Sequence, residues 1–158
     1  MGEAPRSTAT LVVVPCGKAK IWDKHPDAGP TIAREVYVGA PFKVNRGYAE
    51  RFGDRWVILS AKYGFLAPDE TIDGPYNVTF KDRRTEPVST ATLYRQVIEA
   101  HLNDFHMVLA LGGKDYQSVI EGAFEPKRVI FPFAGLQLGY ALGAAKRAIA
   151  DGAAVSGS

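Results

Sequence analysis

The chain has one cysteine, three histidines and almost no net charge, and each scarcity removes a class of function. With Cys16 alone among 158 residues, no intramolecular disulfide forms. A structural zinc site built on several thiolates is excluded too. A lone thiol fits a reducing compartment, so the expected location is cytoplasmic. His25, His101 and His106 are scattered without metal-ligand spacing, so neither a metal nor any other cofactor is expected. The net charge of +2 permits a nucleic-acid partner without arguing for one, because dedicated duplex binders carry a stronger basic footprint. Long hydrophobic runs are missing: Leu11–Val14 and Trp56–Leu59 fall far short of the roughly 20 apolar residues that span a membrane. The first ten residues are polar, so no signal peptide and no membrane partner are expected. The oligomeric state stays open.

An apolar fraction of 46% over 158 residues suits one domain with a single sizeable core. Residues 1–9 read as a flexible arm, 10–150 as a single α/β domain and 151–158 as a flexible tail. Leu11–Val14, Trp56–Leu59, Met107–Leu111 and Arg128–Phe131 read as strands. Between them, helices are expected from Thr31 through Tyr37, then from Phe42 to Phe52 with Gly53 as the stop. Further helices are expected from Pro87 to Asn103, after Tyr116 through Ile120, and from Gly135 onward. Gly39-Ala40-Pro41 reads as an interruption. Strands alternating with helices predict a Rossmann-like three-layer sandwich around a mainly parallel sheet of four to five strands.

Right-handed crossovers bring the carboxyl ends of parallel strands to one edge, where open α/β sheets hold their ligands. Four loops should therefore converge: Pro15–Lys20, Ser60–Tyr76, Gly112–Tyr116 and Phe131–Gln137. The chain is organised around the second. Trp56–Leu59 breaks abruptly into Ser60, Ala61, Lys62, Tyr63 and Gly64, then runs through Asp69, Glu70 and Asp73 to Tyr76.

These loops carry usable chemistry. Cys16 follows a strand beside Gly17, Lys18 and Lys20, and neighbouring cations make a thiolate more available as a nucleophile. Lys62, Asp69 and Asp73 join Cys16 as candidate catalytic groups, the carboxylates as acid, base or stabiliser of an oxocarbenium-like centre. Substrate-binding candidates are Gly17, Lys20, Ser60, Tyr63, Gly64, Tyr76, Gly112, Gly113, Lys114 and Tyr116. Gly112-Gly113 ahead of a helix exposes amides suited to an anion. The tyrosines offer stacking faces for a base. The spacing matches neither a Walker loop nor a dinucleotide fingerprint, and Ser60 lacks a nucleophile elbow.

Leu59-Ser60-Ala61-Lys62-Tyr63-Gly64-Phe65-Leu66-Ala67-Pro68, followed by Pro75-Tyr76, resembles the Leu-Ser-Gly-Leu-Tyr-Gly-Val-Leu-Arg-Pro … Pro-Tyr-Arg segment of the YaaA family, linked to peroxide stress and DNA binding. It is closer to small proteins of the same superfamily with a Cys-Gly-x-x-Lys start and a Tyr-[Asp/Asn]-x-Thr segment, here Tyr76-Asn77-Val78-Thr79. Pro15-Cys16 with Lys20 also resembles the Pro-Cys-x-x-x-Lys start of archaeosine synthase, with Ile21-Trp22 where that motif continues Pro-Tyr. The resemblance implies a Rossmann-like core acting on a nucleobase, nucleoside, nucleotide or nucleic acid.

The expectation is an enzyme working at an N-glycosidic bond or in base modification, with a nucleotide or nucleic acid as partner. The alternative is a non-catalytic DNA-, RNA- or nucleotide-binding module related to the YaaA stress protein.

Overall fold

The computed structural model describes residues 8–124, 129–133 and 138–152. Most of the arm and tail expected from the sequence, and the Gly135 start of the last helix, lie outside the described residues. In chain order the elements are β1 (Thr10–Pro15), β2 (Thr31–Ile32), α1 (Ala33–Val36), α2 (Ala40–Phe52), β3 (Arg55–Ser60), β4 (Gly64–Leu66), β5 (Thr71–Ile72), α3 (Thr90–Glu99), β6 (Met107–Ala110), α4 (Lys114–Ala123), β7 (Val129–Ile130) and α5 (Leu138–Asp151).

The main sheet has five strands in the order β4-β3-β1-β6-β7. All neighbours pair in parallel except β4, which folds back antiparallel on β3 at the edge. β1 is central and reads Leu-Val-Val-Val because both of its faces are covered. Val12 and Val14 enter one core with Phe42, Tyr48 and Ala49 of α2 and Ala145 and Ala148 of α5. Leu11 and Val13 enter the other with Leu93 and Val97 of α3 and Ile120 and Ala123 of α4. The result is a three-layer α/β sandwich. Each such aliphatic side chain, fully buried, contributes about 1.5–3 kcal/mol of transfer free energy. The chain leaves β1 toward β3, then crosses back over β1 to reach β6. The crossover direction therefore reverses between β1 and β6, the position at which open sheets leave a crevice.

Three expectations change. Pro41 begins α2 instead of breaking the chain, because a proline in the first turn removes an N–H that has no helical acceptor. Thr31–Ile32 is strand, not helix, since it pairs with Thr71–Ile72, and only Ala33–Val36 completes a turn. α3 begins after Ser89, whose Oγ accepts the Thr92 N–H at 3.1 Å, and stops at Glu99. His101, in the left-handed region at φ 57, ends the run short of Asn103. Among the described residues, no helix is long and apolar enough to cross a membrane.

Candidate functional site

The loop after β1 turns from its strand by one backbone bond, Cys16 N–H to the Leu59 carbonyl at 3.0 Å. This keeps Cys16 at the carboxyl edge of β1 and β3. Tyr116, in the first turn of α4 after β6, reaches back to the loop after β1. Its hydroxyl lies 3.4 Å from Cys16 Sγ and donates to the Cys16 carbonyl at 3.3 Å. Gly112 makes this approach possible. It sits at φ +120, and a Cβ there would come within 3.1 Å of the Tyr116 Cβ and 3.2 Å of the Pro15 Cγ. The β1 and β6 loops thus meet at the switch point.

Lys20 is held beside the same strand ends by strand-like pairing. It forms an isolated antiparallel bridge with Tyr37, and the Val38 N–H donates to the Ala19 carbonyl at 3.1 Å. The Lys20 ammonium is buried. It donates to the Lys18 carbonyl at 3.1 Å and lies 4.6 Å from the centroid of the Tyr76 ring. Burial lowers its pKa, and negative charge on Cys16 and Asp23 opposes that shift. Tyr37 is thereby brought into the site, although nothing in its local sequence marks it.

From β3 comes a fully buried serine. Ser60 Oγ accepts the Lys62 and Tyr63 N–H groups, each at 3.2 Å, which turns the chain tightly away from the strand end. The same oxygen lies 3.0 Å from the Tyr76 hydroxyl, which also bonds the Tyr37 hydroxyl. Tyr63 meets the Tyr76 ring edge-on at 5.4 Å, and the Lys62 ammonium lies 5.2 Å from the Tyr63 centroid and 5.6 Å from that of Tyr76. Two cations thus attend one aromatic ring, contacts worth roughly 0.5–2 kcal/mol each according to exposure. Burial and the charge on Cys16 push the Tyr76 phenol up to about 12. The phenols of Tyr116 and Tyr37 are likewise raised, first by burial. All three are neutral at physiological pH and act as hydrogen-bond donors.

Gly64 opens β4, and Gln96 of α3 clamps it. The Gln96 side chain accepts the Phe65 N–H at 2.9 Å and donates to the Tyr63 carbonyl at 3.0 Å, imitating a further strand. Gly64 has φ +77, and a Cβ would overlap the Gln96 amide at 2.1 Å. The residues that carry Lys62 and Tyr63 are therefore fixed from both sides.

Of the residues expected from sequence, the fold brings together Cys16, Lys20, Ser60, Lys62, Tyr63, Tyr76 and Tyr116, with Gly64 and Gly112 shaping the turns. Gly17 adjoins Phe42, and Gly113 precedes α4 with open space around its Cα. Lys114 is exposed and makes no hydrogen bond or ion pair among the described residues. Asp69 is not in this cluster. Because β4 runs back along β3, Asp69 lines a shallow depression with Arg34, Arg55 and Trp56 at the opposite end of β3. Asp73 is exposed and bonded to none of the cluster among the described residues. Only part of Phe131–Gln137 is described, and Phe133 packs on Tyr48. A cleft of about 510 Å³ lies beside Phe80, which packs edge-on against Tyr116, and is lined by Arg83, Glu86, Ser89, Thr90 and Asp115.

The chain matches the model of a family of unknown function, DUF6884, over residues 11–147, and it belongs to that family. It is similar to the uncharacterized protein YfjM of Bacillus subtilis (strain 168), with 41% identity over 143 residues, 89% of this chain and 95% of that protein. No solved structure matches. The likeness to the YaaA family is thereby corrected, since the family found is DUF6884 and no YaaA-type family matches. The segment that carried the likeness has a local explanation. Ser60 ties off a strand end, Gly64 supplies a positive φ, and Leu66 returns to the core.

Proposed function

We propose that this member of the DUF6884 family is an enzyme acting on a nucleobase, nucleoside or nucleotide, at the N-glycosidic bond or in modification of the base. One observation carries the reading. At the switch-point edge, Cys16, Lys20, Ser60 and Lys62 cluster with the rings of Tyr63, Tyr76 and Tyr116. Aromatic rings in such a cluster suit a flat base, since stacking on an aromatic side chain contributes about 1–3 kcal/mol per base. Lys20 and Lys62 suit a phosphate or an electron-rich sugar edge. Perturbed titratable groups gathered at such an edge are the usual mark of a reactive centre. With Asp69 at the far end of β3, the reactive groups in this reading are the thiol, the phenols and the buried amine. A cytoplasmic location is part of the proposal, because a working thiol requires a reducing compartment.

The test is a ligand screen followed by turnover. Free bases, nucleosides and nucleoside monophosphates are added in a thermal-shift assay, where a ligand specific to the folded form raises Tm by mass action. Hits are then incubated with the protein and the products separated by chromatography. The reading expects a Tm rise with at least one of these classes, lost in Lys20→Ala, and release or alteration of the base. A flat screen with no product would end it.

A second reading, binding of a nucleic-acid strand without chemistry, draws on the exposed turn Lys81–Arg84, where Arg84 engages only Asp82 among the described residues. A backbone binder loses affinity steeply with salt, whereas a nucleoside site does not.

A further inference from the structure

The three hydroxyls of Ser60, Tyr76 and Tyr37 form a chain whose hydrogens can be assigned by counting. Ser60 Oγ has two lone pairs, and the Lys62 and Tyr63 N–H groups occupy both at 3.2 Å. Its own hydrogen therefore points outward, to the Tyr76 oxygen 3.0 Å away. Tyr37 is 2% exposed, and its hydroxyl faces Tyr76 and Ser60, but the lone pairs of Ser60 are already taken, so Tyr76 is its available acceptor. A buried hydroxyl hydrogen left without an acceptor costs about 1–3 kcal/mol, so Tyr37 also donates to Tyr76. Both neighbours thus aim at one oxygen. The hydrogen on Tyr76 is the surplus donor of the network, and Tyr76 is the least buried of the three residues.

We infer that Tyr76 is the proton donor to the departing base, a catalytic residue of the reaction proposed above, on which this inference rests. Burial and Cys16 hold the Tyr76 phenol protonated until the base departs, and the phenolate then left is met by donors already in place. Here two hydroxyl donors already face its oxygen, and the Lys20 and Lys62 ammoniums lie 4.6 and 5.6 Å from its ring centroid. These groups are placed before the reaction begins and need no reorganisation. At the N-glycosidic bond the step balances as follows. The bond from the anomeric carbon to the base nitrogen breaks, and its electron pair goes to that nitrogen. The nitrogen takes the Tyr76 hydroxyl proton, leaving the phenolate. Water then adds to the anomeric carbon and returns one proton to Tyr76. The net reaction is hydrolysis, with Tyr76 restored. Ser60 and Tyr37 are positioning residues, acting on the substrate only through Tyr76.

The experiment compares two leaving groups. A nucleoside needs its departing base protonated, whereas the 4-nitrophenolate of 4-nitrophenyl β-D-ribofuranoside departs without a proton. Turnover of both is measured for the parent protein, Tyr76→Phe and Tyr37→Phe, with nucleoside affinity by calorimetry. Loss of a general acid should lower kcat on the nucleoside by about 10²–10⁴-fold in Tyr76→Phe. Affinity should stay within a few-fold, and the loss on the aryl riboside should stay below about tenfold. Tyr37→Phe, which removes one donor from the phenolate, should lose roughly tenfold on the nucleoside alone. Equal losses on both substrates, in either variant, would overturn the role of Tyr76 while leaving the nucleoside reading standing. A parent protein that neither binds nor cleaves nucleosides would overturn both.

Discussion

Replacing Gly64 by alanine tests how the Lys62–Tyr63 turn is held. Two costs follow from the geometry. The residue sits at φ +77, where an ordinary side chain costs about 1–2 kcal/mol. The new Cβ would also fall 2.1 Å from Gln96 Oε1, far inside contact, so the amide must leave. Its departure breaks the bonds to Phe65 N and Tyr63 O, at roughly 1 kcal/mol each. The sum is about 3–4 kcal/mol, a sizeable share of the 5–15 kcal/mol typical of a domain. For a chain of this length it corresponds to a Tm lower by about 6–16 °C. Gln96→Ala alone should cost only the two bonds, about 2 kcal/mol. In the double variant the clash has no partner, so its cost should fall short of the sum of the single ones by at least about 1 kcal/mol. Chemical unfolding of the four proteins gives the cycle. A Gly64→Ala cost below about 1 kcal/mol, or full additivity with Gln96→Ala, would refute the clamp.

Three further outcomes are expected. Ser60→Ala leaves the Lys62 and Tyr63 amides without their acceptor and removes a donor from Tyr76, so stability should fall by about 1–3 kcal/mol in urea unfolding. Stability should also fall at alkaline pH. Below pH 10.0 the Tyr76 phenol is neutral whether folded or not; between 10.0 and about 12 only the unfolded chain ionises it. That window costs about 2–3 kcal/mol for this group, and Tyr76→Phe should flatten the decline measured by unfolding across it. Finally, nucleoside binding should change little between 50 and 300 mM salt, whereas a strand held through Lys81 and Arg84 would lose affinity about in proportion to the phosphates it contacts.

The alternation of strands and helices was legible because buried parallel strands are continuous apolar runs. Leu11–Val14, Trp56–Leu59 and Met107–Leu111 all fall on sheet strands to within a residue or two. From that alternation the edge at which Cys16, Ser60 and Tyr116 meet could be inferred, since it depends on topology alone. What could not be read depends on pairing between distant residues. Thr31–Ile32 becomes strand only because Thr71–Ile72 lies beside it. β4 is three residues long and hidden among turn formers. Its reversal along β3 carries Asp69 to the wrong end for the chemistry first assigned to it. Tyr37 escaped notice for the same reason, because it enters through a bridge to Lys20 formed across a loop. The family likeness rested on the turn at the end of β3, where Ser60 and Gly64 have local structural roles, and the family found is DUF6884.

The central claim is that three loops, distant in sequence, form one crevice that holds a base and an anion. Titrating the isotopically labelled protein with a nucleoside 5′-monophosphate and following backbone and tyrosine resonances addresses it directly. Saturable shifts should concentrate at Cys16, Lys20, Ser60–Tyr63, Tyr76 and Gly112–Tyr116. Shifts confined to the Arg34, Arg55 and Asp69 end of β3, or none with any nucleotide, would contradict it.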